Sequence, residues 1–116
     1  MVGRLAEEKN PYAILEAFSI VHNELPSATL TIVGDNDDPS WMRGLQERAN
    51  HLNIEQNVEF CGYELEIGEY YQMASIFAMT SLSESFSMVL AESKEYGLPA
   101  VMFELPNLNL QEIIKE

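Results

Sequence analysis

The sequence predicts an α/β fold, a parallel sheet of about five strands with helices on both faces. Three observations predict it. Short apolar runs rich in β-branched residues recur along the chain. Amphipathic or capped helical stretches stand between them, and the connections are short.

The elements follow in order. MVG at 1–3 reads as the end of a strand whose beginning is absent. In NPYAILEAFSIVHNELP the apolar positions Ile14, Leu15, Phe18, Val21 and Leu25 form one helical stripe. Asn10 suits its N-cap, Pro11 its first position, and Pro26 follows its end. TLTIVG (29–34) is a buried strand ending in glycine. Asp38-Pro39 repeats the helix-start signal before SWMRGLQERANHL, a helix that Gly44 weakens. NVEFCG (57–62), ASIFAM (74–79) and PAVMF (99–103) are further strands. Ile67 to Met73 is a short helix, and Phe86 to Tyr96 is another, closed by Gly97. Val89, Leu90 and Ser93 form the face of that helix that packs on the sheet. The tail NLQEIIKE begins one more helix. Both ends break off within an element, so the expectation is a piece of a longer chain, truncated at both ends.

Composition narrows the function. The chain has 116 residues, 47% hydrophobic and 22% charged, which suits one folded domain. No apolar run reaches the roughly 18 residues needed to span a bilayer, and the N-terminus lacks the pattern of a signal peptide. Cys61 is the lone cysteine and reads as a small hydrophobe, with no disulfide; His22 and His51 are far apart, so no zinc site is expected. A net charge of −13 argues against nucleic acid and against direct contact with an anionic membrane. Asp35, Asp37 and Asp38 read as a helix cap and solvated turn rather than a magnesium cluster. Trp41, Tyr70 and Tyr71 read as packing residues, and the methionines as core filler.

In parallel sheets, ligands bind outside the carboxyl ends of the strands. The loops to search are 3–10, 34–40, 61–66, 80–87 and 104–107. In the first, Arg4 and Lys9 stand on a strand-to-helix turn. A planar guanidinium and a mobile ammonium at a helix N-terminus together suit a diphosphate. In SLSESFSMVLAE, Glu84 and Glu92 lie eight positions apart, with Ser83, Ser85 and Ser87 keeping the turn small. Ser81 and Glu84 also fit a capping box, and Glu92 also fits an exposed helix position. Alternatively, both carboxylates accept hydrogen bonds from hydroxyls such as sugar and ribose diols.

The blocks GRLAEEKN, LTIVGD, NVEFCGY and YYQMASIFAMTSLSESFSMVLAESKEYGLPAV, in that order, resemble the nucleotide-sugar-binding half of the group 1 (family 4) retaining glycosyltransferases of GT-B architecture. The most specific part is E-x7-E, Glu84 to Glu92, within S-x-x-E-x-F-x-x-x-x-x-E followed by G-x-P. The resemblance implies a Rossmann-like domain over residues 1–116, the C-terminal half of an enzyme whose N-terminal acceptor domain is absent here. It implies that Arg4 and Lys9 hold the donor diphosphate. Glu84, the catalytic candidate, holds hydroxyls of the transferred sugar. The loop of Ser85, Phe86, Ser87, Met88 and Val89 meets sugar and phosphate through its amides. Glu92 binds the ribose, and Gly62 and Tyr63 contact the base. It further implies a UDP-sugar as substrate, no metal or other cofactor, and transfer to a glycan or lipid-linked acceptor. The full-length protein would be cytoplasmic, peripheral to the inner membrane face, and this piece by itself would not transfer sugar.

The sequence departs from the family at Ser85 and Ser87, where the family usually has Gly and then Gly or Pro. Either the loop is reshaped or the hydroxyls help to bind the donor. Other readings are a GT-B sugar epimerase or phosphorylase, a scaffolding member of the family, and a non-catalytic α/β module. A phospho-acceptor module would need a lysine after the fifth strand, and ELPN offers none.

Overall fold

A computed structural model describes residues 1–82 and 88–102, with the side chain of Met88 left aside. Helix α1 (Pro11–Glu24), strand β1 (Leu30–Val33), helix α2 (Ser40–His51), strand β2 (Val58–Gly62), helix α3 (Gly68–Met73), strand β3 (Phe77–Met79), helix α4 (Met88–Glu95) and strand β4 (Ala100–Met102) follow in chain order. All strand pairings are parallel. The strand count is lower than the sequence suggests. MVG contributes a single bridge, Val2 to Val33, and Ala74–Ile76 lie outside β3. The ladder forms two pairs, β1–β2 and β3–β4.

Val2 joins them. On one side the residues flanking it bond to β1: Val33 N–H donates to Met1 O at 2.8 Å and Gly3 N–H to Val33 O at 2.9 Å. On the other side Val2 packs against Tyr71, Phe77, Met79 and Leu90. The chain steps from Val2 to β1 to β2 in one direction, then returns past Val2 to β3 and β4. Parallel crossovers are right-handed, so α1 and α2 cover one face and α3 and α4 the other. The two apolar clusters follow that division. Ile14, Leu15 and Phe18 of α1 and Leu45 and Ala49 of α2 share a core with Ile32 and Val58. Tyr71 of α3 and Leu90 of α4 share the other with Phe77 and Met79.

Several local expectations need correction. Asn10 does not cap α1 with its side chain: it sits at φ +53° and its N–H closes the preceding 3-10 turn onto Glu7 O. The α1 stripe is buried only as far as Phe18; Val21 and Leu25 are exposed. Fourteen residues of helix run about 21 Å, while the four of β1 span about 13 Å, so the last turns overhang the sheet. Met73 is exposed rather than core filler. Gly44 has a packing reason, since the Tyr12 hydroxyl lies 2.1 Å from where its Cβ would stand. Gly97 closes α4 at φ +72°, as expected. The tail helix and the loop 104–107 lie outside the described residues.

Asp38, not Pro39, satisfies the start of α2. Its carboxylate accepts the Ser40 N–H at 2.9 Å, and that bond lowers its pKa below the ordinary 3.8. Asp38 is thus the cap that the sequence suggests.

Gly34 lies so close to Gly3 O that an added Cβ would stand 1.7 Å from it, at φ +154°. Gly34→Ala should therefore cost about 3 kcal/mol in urea unfolding. Gly97→Ala, with open space around it, should cost only about 1 kcal/mol, from its backbone angle. For Asp38, a carboxyl depressed on folding stabilises the protein above its unfolded pKa. That contribution is lost as pH falls below 3.8 through the folded value. Urea midpoints between pH 5 and pH 3, as test conditions of about that range, should fall less steeply for Asp38→Ala than for the wild type.

Candidate functional site

The carboxyl ends of the first strand, β1 and β2 open onto a cleft of about 550 Å³. Its position obeys the rule for parallel sheets, beside the point where the chain reverses direction across the sheet. Three loops build it. The first carries Arg4, the second Asp35 to Asp37, and the third Tyr63 and Glu64 with Ile67 behind them.

The loops are tied to one another by backbone. Leu5 N–H donates to Asp35 O at 3.1 Å, and the Asn36 side-chain amide donates to Leu5 O at 2.8 Å. Gly34 N–H donates to Gly62 O at 2.8 Å. The β1–β2 register shifts between Ile32 and Val33, so Val33 faces Gly62 and Cys61 is skipped. A bulge of this kind re-aims the strand end. With Gly62 at φ +71°, it turns Tyr63 to the cleft, where Tyr63 is largely exposed.

Arg4 lines the cleft. Lys9 comes to the same strand end, its aliphatic stem 3.7 Å from where a Gly3 Cβ would be. Lys9 itself does not line the cleft. The loop after β3 also begins here. Leu82 N–H donates to Glu8 O at 2.9 Å, and the buried Thr80 hydroxyl donates to Asn10 O at 2.8 Å. The segment that carries Glu84 thus leaves β3 beside the Arg4–Lys9 loop. Glu84, Ser85, Phe86 and Ser87 themselves lie outside the described residues, and Met88 opens α4.

Val89, Leu90 and Ser93 pack inward from α4, as their spacing suggests. Glu92 is half-buried rather than fully exposed. Burial, followed by the charge of Glu92, pushes the Tyr71 pKa well up, and the Tyr71 hydroxyl donates to Val89 O at 3.2 Å. Neither Val89 nor Glu92 lines the cleft; they stand on the neighbouring helix behind Val2.

The sequence placed Asp35 and Asp37 in a solvated turn, yet both line the cleft, as does Glu64. Their position one to three residues past a strand end is the signal that could have found them. Tyr70 donates to Glu64 Oε1 at 3.4 Å and is pushed up to about 12, chiefly by its hydrogen bond to Cys61. Burial raises the Cys61 thiol above its ordinary range. Trp41 packs at the edge of the core against Tyr12, with ring centroids 6.1 Å apart.

Comparison with known proteins gives a consistent picture. Residues 1–116 match the family model described as glycosyl transferases group 1. The chain is 36% identical over 115 residues to the amylovoran biosynthesis glycosyltransferase AmsD of Erwinia amylovora, covering 99% of this chain and 31% of that protein. It superposes on the pneumococcal O-GlcNAc transferase GtfA, solved in complex with UDP and GlcNAc, with TM-score 0.83 and 29% identity, over 95% of this chain and 21% of that one. Anabaena HepE, solved with UDP-glucose, shares the fold at TM-score 0.85 and 23% identity, over 99% of this chain and 31% of that one. The chain spans less than a third of the length of these proteins.

Thr80→Val keeps the shape but removes the hydroxyl donor to Asn10 O, which retains the Ala13 N–H. It should cost about 1–2 kcal/mol in urea unfolding, measured on the full-length protein.

Proposed function

Because the chain belongs to the group 1 glycosyltransferases, we propose that it is the donor-binding part of a retaining hexosyltransferase of GT-B architecture. The enzyme would move a sugar from a nucleotide-sugar to a glycan or lipid-linked acceptor. The observation that carries this reading is the meeting of two loops. Arg4 and Lys9 share one strand end, and the chain bearing Glu84 leaves β3 against that same loop.

Each residue then has a task. Arg4 and Lys9 take the diphosphate, where negative charge grows as the glycosidic bond breaks. The amides at the start of α4 add to that field. Glu84 receives hydroxyls of the transferred sugar, with Ser85, Phe86, Ser87, Met88 and Val89 around it. Glu92 receives the ribose diol. The base enters the cleft beside Gly62 and Tyr63. The chemistry asks for no resident metal or cofactor in this scheme, because the cations and helix end serve the leaving group. The acceptor would be held by a separate N-terminal domain, outside these 116 residues.

UDP is the nucleotide we favour, since GtfA was solved with UDP and GlcNAc. Polysaccharide assembly is the setting we favour, since AmsD is named for amylovoran biosynthesis. Among the described residues no helix is long and apolar enough to cross a membrane. We place the whole protein in the cytoplasm, peripheral to the inner membrane face. The shared names and fold favour transfer over an epimerase, a phosphorylase or a scaffold.

Thermal shift of the full-length protein against UDP-, GDP- and ADP-sugars tests the reading. A UDP-sugar should raise Tm, and Glu92→Ala should remove that shift. Arg4→Ala and Lys9→Ala should each lower kcat by roughly a hundredfold. A panel with no shift, or an unchanged shift in Glu92→Ala, would count against the assignment.

A further inference from the structure

Resting on the reading of Arg4 as a ligand of the donor diphosphate, we infer that Asn36 is a positioning residue for Arg4: its side-chain amide ties the loop that carries Arg4 to the end of β1. It acts through the backbone of that loop.

The geometry starts at Leu5, which is 0% exposed and follows Arg4 directly. Its N–H donates to Asp35 O at 3.1 Å, and its carbonyl accepts from Asn36 Nδ2 at 2.8 Å. On the other side of Arg4, Gly3 N–H donates to Val33 O at 2.9 Å. Arg4 therefore stands between two residues that are both pinned to the 33–36 segment, and it lines the cleft with Gly34, Asp35, Asn36 and Asp37. Two of these three bonds join backbone to backbone, whatever the side chains. The third comes from a side chain, so it depends on the residue at position 36. Beyond Leu5 the chain enters the 3-10 turn Glu7–Lys9, so the bond to Leu5 O stands between Arg4 and Lys9.

The chemistry explains why this position is an amide. The run GDNDDP offers four side chains of nearly one shape at 35–38, and three of them are acids. Asp35 accepts the Asn36 N–H at 2.7 Å, and Asp38 accepts the Ser40 N–H at 2.9 Å. Each of those two meets a donor, which a carboxylate can take. Asn36 meets one donor and one acceptor. Its Oδ1 accepts the Asp38 N–H at 2.8 Å, which turns its Nδ2 toward the Leu5 carbonyl. A carboxylate has no proton to give there. Asn36 is half-buried while the acids beside it are exposed. A loop anchored in advance has less freedom to lose when its arginine closes on a phosphate.

The test is calorimetric titration of the full-length protein with UDP and with uridine, which lacks the diphosphate. The wild type should bind UDP at least about a hundredfold more tightly, as charge-assisted bonds to phosphate imply. Arg4→Ala should cut that ratio by about tenfold. Asn36→Ala and Asn36→Leu, the second of similar volume, should each cut it by about fivefold through weaker UDP binding, with uridine unchanged. Added to Arg4→Ala, either change should move the ratio by less than about twofold, because Asn36 acts through Arg4. Equal weakening of both ligands would mark a structural role only and would overturn the inference. So would an unchanged ratio, or the whole loss repeated in the Arg4→Ala background. A ratio untouched by Arg4→Ala overturns the diphosphate reading itself, and the inference falls with it.

Discussion

The structure turns on the approach of two backbones, the Gly3 carbonyl against Gly34 at the carboxyl ends of adjacent strands. No side chain fits there. That contact lets the first loop lie flat on the second, where Leu5 and Asp35 exchange a backbone bond and Asn36 reaches Leu5 O. It also leaves room for the stem of Lys9 over Gly3. A larger residue at position 34 would push against the Gly3 carbonyl, next to Arg4. The glycine that ends β1 is therefore a site element as much as a turn.

The rest of the fold delivers four chain segments to this place. One core, under α1 and α2, fixes β1 and β2. The other, under α3 and α4, fixes β3 and β4. Val2 packs on the second core with Phe77 and Met79, while its neighbours bond to β1. Because strand pairing does not join the halves among the described residues, apolar contact at Val2 and the bonds from Leu82 and Thr80 do so. These bonds lie at the end of the sheet where a donor would bind.

The negative balance of the chain fits this arrangement. Six cations against nineteen acids leave few places for an anion to go. Arg4 and Lys9 at one strand end mark such a place. The same cleft that Arg4 lines also carries the acids Asp35, Asp37 and Glu64.

The sequence by itself determined the order of elements and the helix faces. Each of these is local: a period of apolar residues, an Asp-Pro start signal, a glycine at a strand end. It also carried the E-x7-E pattern on which the family resemblance rests. It could not show that Val21 and Leu25 overhang the sheet, because that depends on the length of a partner strand. It could not show that MVG makes one bridge, since pairing is set by the neighbour, not the run. Nor could it show that Asp35, Asp37 and Glu64 share a cleft, or that the Tyr71 hydroxyl reaches the Val89 carbonyl. Those residues are brought together by the β1–β2 bulge and by the packing of α3 on α4, long-range contacts that no spacing along the chain encodes.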